Sequence, residues 1–423
     1  MSKIIEHFKT LTQIPHCSKE ADKLCDFLVG FAKERGYEAE VDEVKNIYIH
    51  KGTPRLCLQA HYDMVCMGKA PQIETYEEDG WMKAKDASLG ADNAMAIAMM
   101  MQLMEEGKVL EYLITSDEEI GLIGANQLAF DLKASYMLNL DSEDEAEVYI
   151  GCAGGADITA FRQDSYTEGK GACYEVAVRG LSGGHSGVDI DKNIPSAIKV
   201  LGAYLAKQNV TQLVSLYAGE RRNSIPANAV AIVRSETVLP NEEAVTARVL
   251  DESPDILKEG ARIIELINCF RHGVHQMNKS FGIPHTSINL AIISADEKGG
   301  MQVETSARAM DMEALEKLTQ ETVELFETFG LTAKVEDKYP AWKPEVTDFT
   351  KLVDKKMQEV FGQSRLMAIH AGLECGVIAQ KYPHIKFASI GPTIRYPHST
   401  REMVQLDSVE KTFAVLERII QAL

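Results

Sequence analysis

Positive charge is scarce in this sequence: 44 Lys and Arg stand against 63 Asp and Glu, a formal net charge of −19 over 423 residues. A nucleic-acid backbone is repelled by such a field, and no basic stripe offsets it. Long apolar runs are missing as well. The longest, Ala94 to Met101, stops at Gln102, far short of the ~20 residues that span a bilayer, so no membrane partner is expected. The opening Met-Ser-Lys-Ile-Ile-Glu-His-Phe lacks the apolar core of about 7–15 residues that marks a secretory signal. The eight cysteines, at positions 17, 25, 57, 66, 152, 173, 269 and 375, form no CxxC pair. They are expected to be reduced core residues of a cytoplasmic protein, and none is a zinc or redox candidate. What is present is a globular composition, 45% hydrophobic and 25% charged, enough apolar side chain for a large core. At about 150 residues per domain the length suggests two or three domains.

The first 150 residues alternate strand and helix signals. Arg55 to Ala60, Val109 to Thr115 and Ser135 to Leu140 are short apolar runs of strand length, and Ala94 to Met104 reads as a helix capped by Asp92-Asn93. That rhythm predicts a largely parallel sheet covered by helices. From about Tyr174 the pattern changes. Strands are expected at Tyr174–Arg179, Gln212–Tyr217 and Ala227–Val233, and helices at Pro195–Lys207, at about 242–270 and at Leu315–Phe329. Ser287–Ser294 and Met301–Met310, joined by Asp296-Glu-Lys-Gly-Gly300, read as a hairpin. After Pro340-Ala-Trp-Lys-Pro344 the first pattern returns, with a strand at Lys386–Ile390 and a capping box, Asp407-Ser-Val-Glu410, opening a last helix. The expected architecture is an α/β catalytic domain, residues 1–155 and 343–423, interrupted by a smaller α+β domain of split-βαβ type, residues 156–342.

Chemistry gathers where these strands end. The first ends in His61-Tyr-Asp63, the next in Ser116-Asp-Glu118-Glu119, the next in Asn139-Leu-Asp141-Ser-Glu143, and the C-terminal one is followed by Gly391 to His398. Asp92 opens the intervening helix. Ligands of open α/β sheets bind at the carboxyl ends of the strands, so these residues define one acidic, imidazole-bearing crevice. No Lys or Arg cluster lies beside them, which leaves divalent metal as the counter-charge. Two Zn²⁺ facing Asp92, Glu119, Asp141 and one hydroxide sum to zero. Mixed His and carboxylate donors suit Zn²⁺, Co²⁺ or Mn²⁺ better than Ca²⁺ or Mg²⁺. Within Glu118-Glu119, one side chain can ligate while the other stays free as a base.

Together these residues resemble the co-catalytic zinc peptidases and deacylases, the family of aminoacylase, carboxypeptidase G, peptidase T and the dipeptidases. Within it the chain looks most like the bacterial aminoacyl-histidine dipeptidases. The resemblance rests on His61-Tyr-Asp-Met-Val65, Gly90-Ala-Asp-Asn93, Asp117-Glu-Glu-Ile-Gly121, Asp141-Ser-Glu143 and Gly151-Cys-Ala-Gly-Gly155. It continues through Gly183-Gly-His-Ser-Gly187, His370-Ala-Gly-Leu-Glu-Cys-Gly376, Ser389-Ile-Gly-Pro-Thr393 and Pro397-His398-Ser399.

The resemblance implies a zinc-peptidase-like fold and a metal-ligand set of His61, Asp92, Glu119, Asp141 and His398. Asp92 would bridge, His61 and Asp141 would hold one ion, and Glu119 and His398 the other. It implies that Asp63 orients His61 and that Glu118 is the general base toward a metal-bridging water. It further implies that His185 stabilises the oxyanion, in the same or a neighbouring subunit, and that Arg308 and Asn223 contact the substrate's terminal carboxylate. The inserted domain would be a lid and the dimerisation surface of a homodimer. The implied reaction is hydrolysis of dipeptides with a free amino terminus, of Xaa-His type, with N-acyl amino acids or tripeptides as the alternatives. Cys66 follows Val65 where the deacetylase branches carry Pro, which favours a dipeptidase. Two further readings compete. Gly180-Leu-Ser182-Gly-Gly184 fits the G-x-S-x-G pattern of serine hydrolases, although that motif needs a helix directly after the serine. An inactive metal-binding dimer would have no need of Glu118.

Overall fold

The computed structural model describes residues 2–296 and 298–423; Met1 and Glu297, the latter in the expected hairpin turn, lie outside the described residues. The chain forms two compact units, one made of Met1–Cys152, Trp342–Ala368 and Leu373–Leu423, the other of Ala153–Ala341 and Ile369–Gly372.

The first unit is built on an eight-stranded sheet. At its centre Glu111–Thr115, Leu56–His61, Tyr136–Asn139 and Lys386–Ser389 lie side by side, all parallel. Every residue of Leu56–His61 and of Glu111–Thr115 is buried, as expected of parallel strands covered on both faces. The flanking strands Ile47–His50 and Glu147–Cys152 pair antiparallel, so the sheet is mixed at its margins. Helix Ala91–Glu105 is rich in Ala and Met and buried along nearly its whole length. Strong helix formers, apolar all round, suit a helix enclosed by the core. It does not start as the sequence suggests. Gly90 takes the N-cap position at φ 72°, and Asp92 and Asn93 have non-helical backbone. The last helix, Leu406–Ala422, likewise begins before Asp407, without a side-chain cap. The Asp407 carboxylate pairs with Lys411 one turn on, and Ser408 Oγ accepts the Thr393 N–H, so neither is spent on a capping box.

The second unit is a nine-stranded antiparallel sheet with helices Ala197–Lys207, Gly260–Cys269 and Met312–Thr328, whose apolar faces share one core with it. The expected hairpin is present as Ile283–Ala295 and Gly300–Ala309, with Ser287 opposite Arg308. The long helix expected over 242–270 is not. Thr246–Leu250 is an edge strand paired with Ala172–Val178, Ile256–Leu257 pairs with Tyr166–Thr167, and only Gly260–Cys269 is helical. An unpaired sheet edge outweighs the modest helix preference of that stretch, and Ser253-Pro254 disfavours helix across its middle.

The cysteines also differ from expectation. Cys17 and Cys66 form a disulfide with Cα atoms 5.5 Å apart, and Cys269 is exposed; Cys25, Cys57, Cys152, Cys173 and Cys375 are free and buried. Cys17 and Cys66 meet because the Met64 N–H bonds to the His16 carbonyl, which lays the two loops side by side. No spacing rule reveals a pair 49 residues apart. Among the described residues no helix is long and apolar enough to cross a membrane.

Candidate metal centre

Because the four central strands run parallel, their carboxyl ends share one edge of the sheet. His61 is the last residue of its strand, Glu118 and Glu119 follow the strand ending at Thr115, Asp141 follows Asn139, and His398 lies beyond Ser389. Asp92 enters from the helix start. One of its oxygens, Oδ1, is 3.2 Å from His61 Nε2, and the other, Oδ2, is 3.2 Å from His398 Nε2. His61 Nε2 is also 3.3 Å from Asp141 Oδ1, and His398 Nε2 is 2.9 Å from Glu119 Oε2. Two donor groups therefore share one carboxylate: His61, Asp92 and Asp141 on one side, Asp92, Glu119 and His398 on the other, each with ligand atoms within 4.8 Å of one another. A third grouping at the same spacing joins His61, Glu118 and Glu119.

Asp63 is the buried hub beneath this cluster. Its carboxylate accepts the backbone N–H groups of Glu118 at 2.9 Å and Glu119 at 3.4 Å, and the Ser18 hydroxyl at 2.7 Å. The same residue faces His61 Nδ1, through its carbonyl oxygen at 3.0 Å and its Oδ1 at 3.5 Å. A proton on Nδ1 leaves the Nε2 lone pair pointing at Asp92 and Asp141, the orientation a ligating imidazole needs. One residue thus sets both the His61 ring, through its carbonyl, and the Glu118-Glu119 turn, through its carboxylate. Burial raises the Asp63 pKa, but the His61, Ser18 and Glu118 contacts outweigh it and hold the carboxyl below its usual range.

The electrostatics call for cations. Burial, aided by Asp92 and Glu119, pushes the Asp141 carboxyl up to about 6 against the pull of His61. Glu119 is raised by burial and by Asp92. Burial draws both imidazoles down, yet the acids around them win: His61 sits well above its ordinary value and His398 is pushed up to about 11. Protons thus do in the metal-free chain what metal ions do in a loaded one. The residues fit two divalent ions by their mixed donors and by one buried atom, Glu119 Oε1, that has no hydrogen-bond partner. A pH prediction follows. Both imidazoles bind protons more readily than usual, so metal uptake is expected to release protons and affinity to climb as pH rises above neutral. Calorimetry of Zn²⁺ binding in buffers of different ionisation enthalpy reads the proton count directly.

The model of peptidase family M20/M25/M40 matches residues 57–422. The chain belongs to this family. It is 30% identical to the cytosol non-specific dipeptidase of Escherichia coli K12 over 98% of this chain and 96% of that protein. The crystal structure of aminoacylhistidine dipeptidase from Vibrio alginolyticus is 27% identical and superposes with a TM-score of 0.83, covering 100% of this chain and 96% of that one. A tripeptidase from Staphylococcus aureus, 16% identical at a TM-score of 0.62 over 99% and 97% of the two chains, shares the M20 fold.

The remaining sequence candidates lie in the second unit. His185 Nδ1 accepts the N–H groups of Gly187 at 3.1 Å and Val188 at 3.2 Å, so the neutral ring carries its proton on Nε2. Asn223 supports the same turn through its carbonyl, which accepts the Ser186 N–H at 2.8 Å. Arg308 is only 7% exposed; its guanidinium bonds to the Tyr339 hydroxyl at 2.6 Å, and its Nε has no partner. No acid among the described residues forms an ion pair with it. Ser182 is exposed and leads into the short strand Gly184–His185 rather than a helix, so the serine-hydrolase motif lacks its required context.

Sequence reasoning assigns no role to two buried acids beside the cluster. Glu374 accepts from Gln59 Nε2 at 2.5 Å and from the Thr115 hydroxyl at 2.7 Å. Glu402 accepts the backbone N–H groups of Leu89, Gly90, Ala91 and Asp92. Both stand inside or near the family motifs, but a buried acid's partners are set by tertiary contact and leave no local signature.

Proposed function

We propose that this protein is a two-metal dipeptidase that hydrolyses dipeptides with a free amino terminus, Xaa-His substrates among them. The observation that carries the reading is the pair of donor groups joined by Asp92, with Glu118 on the same turn as Glu119. On this reading His61 and Asp141 hold one ion, Glu119 and His398 the other, and Asp92 both. The ions, Zn²⁺ with Co²⁺ or Mn²⁺ as the other candidates, would polarise the scissile carbonyl and acidify the attacking water. Glu118 takes the proton from that water and passes it to the leaving amine. Its burial raises its pKa well above the ordinary glutamate value, with Asp141, Glu119 and Glu374 adding to the effect and His61 opposing it. Asp63 keeps His61 and the Glu118 turn in register. His185 offers Nε2–H to the tetrahedral oxygen, in the site of a neighbouring subunit if the chain dimerises through residues 156–342. Arg308 and Asn223 receive the substrate's carboxylate; a buried guanidinium without an acidic partner favours an anionic ligand.

The names of the two dipeptidase relatives support this substrate class, and the word cytosol in one of them supports a cytoplasmic setting. The test is an assay of Zn²⁺-loaded protein, with and without chelator, on Xaa-His dipeptides, other dipeptides, a tripeptide and an N-acetyl amino acid. Chelator-sensitive cleavage of dipeptides is expected, with Xaa-His among the preferred substrates. Cleavage of the acetylated substrate alone would move the chain to the deacylases, and no cleavage at all would favour an inactive metal-binding dimer. His398→Ala is expected to reduce the metal content from two ions to one, measured by atomic emission on the purified variant.

A further inference from the structure

Glu402 lies four residues beyond His398 and is only 3% exposed. Its Oε2 accepts the N–H groups of Leu89 at 2.8 Å and Gly90 at 3.0 Å, and its Oε1 those of Ala91 at 2.8 Å and Asp92 at 3.3 Å. These donors belong to the approach and first residues of helix Ala91–Glu105, where backbone N–H groups have no intrahelical acceptor. One carboxylate gripping four successive amides fixes the backbone that presents Asp92, which sits at a non-helical φ −83° and ψ 100° with its two oxygens facing His61 and His398.

Resting on the reading that Asp92 bridges two ions, we propose that Glu402 is a positioning residue that occupies the helix-start amides so that both Asp92 oxygens stay aimed at the ion positions. The segment 398–402 then does two jobs. It delivers one ligand, His398, and it holds the backbone that carries the shared ligand. The hold is direct, because the Asp92 N–H itself is among the donors Glu402 engages.

The test is a metal titration of the stripped protein, using Co²⁺ absorbance and calorimetry to count ions and measure both affinities. Glu402→Gln places an NH₂ against two N–H donors, so the 89–92 backbone is expected to shift, turning Asp92 off the ion positions, and both ions to bind at least about tenfold more weakly. Asp92→Asn and the double variant Asp92→Asn/Glu402→Gln are expected to bind alike, because Glu402 acts through Asp92. A role confined to fold stability would instead lower the melting temperature and leave ion affinity intact in folded Glu402→Gln. If Glu402→Gln fails to fold by circular dichroism, Glu402→Asp keeps the charge but is one methylene short and is expected to weaken both ions in the same way. Wild-type affinities in the folded variant, or a double variant far weaker than Asp92→Asn, would overturn the proposal. Uptake of fewer than two ions by the unaltered protein would overturn the two-ion reading beneath it.

Discussion

Glu118→Ala is expected to keep both ions and to lose about 10³-fold in kcat, the usual scale for removing a general base. The argument starts from the backbone. Asp63 Oδ1 holds the Glu118 N–H at 2.9 Å, so the turn that carries the side chain is fixed from beneath. The carboxyl is buried among Asp141, Glu119 and Glu374, which lifts its proton affinity well above that of a surface glutamate despite His61. An acid of that kind can take a proton from water and give it up to an amine near neutral pH. Its spacing to His61 and Glu119 also suits a ligand, and the two roles have opposite signatures. A base leaves two ions bound and cuts kcat; a ligand loses an ion. Metal content and kcat measured on the same preparation separate them, and full activity would eliminate both.

The candidate ligand set is legible in the sequence because these residues sit at positions that hydrophobic patterning locates well. Leu56–His61, Glu111–Thr115 and Tyr136–Asn139 are short buried strands, and a polar residue just past such a run has to lie at the sheet's edge. His61, Glu119 and Asp141 follow from that rule. Asp92 follows for a partly mistaken reason. Its place before a run of helix formers suggests an N-cap, yet Gly90 takes that position and the Asp92 N–H is held by Glu402, 310 residues further along the chain. Long-range partners of this kind are what the pattern does not carry. The Cys17–Cys66 bridge, the Glu374 contacts with Gln59 and Thr115, and the edge strand Thr246–Leu250 all depend on which segments meet in space. Composition and periodicity report what a segment prefers alone. At an open sheet edge, a stretch such as 246–250 can gain more by pairing than it loses in helix preference.

Arg308→Met is expected to lower kcat/KM for dipeptides by about 10²–10³-fold while leaving both ions in place. The side chain is 7% exposed, anchored to Tyr339 at 2.6 Å, and carries a positive charge with no ion-paired acid among the described residues. A cation kept out of water with a neutral hydroxyl as its hydrogen-bond partner is costly, and a ligand carboxylate relieves that cost. Losing one member of a buried, hydrogen-bonded charge pair typically costs about 2–5 kcal/mol, the basis of the expected range. The loss should follow the carboxylate itself. A dipeptide and its C-terminal amide, assayed side by side, are expected to differ strongly with the unaltered protein and little with Arg308→Met. Equal losses on both substrates would mean that Arg308 supports the sheet opposite Ser287 rather than the substrate. Unchanged kinetics on the free acid would remove it from the recognition site altogether.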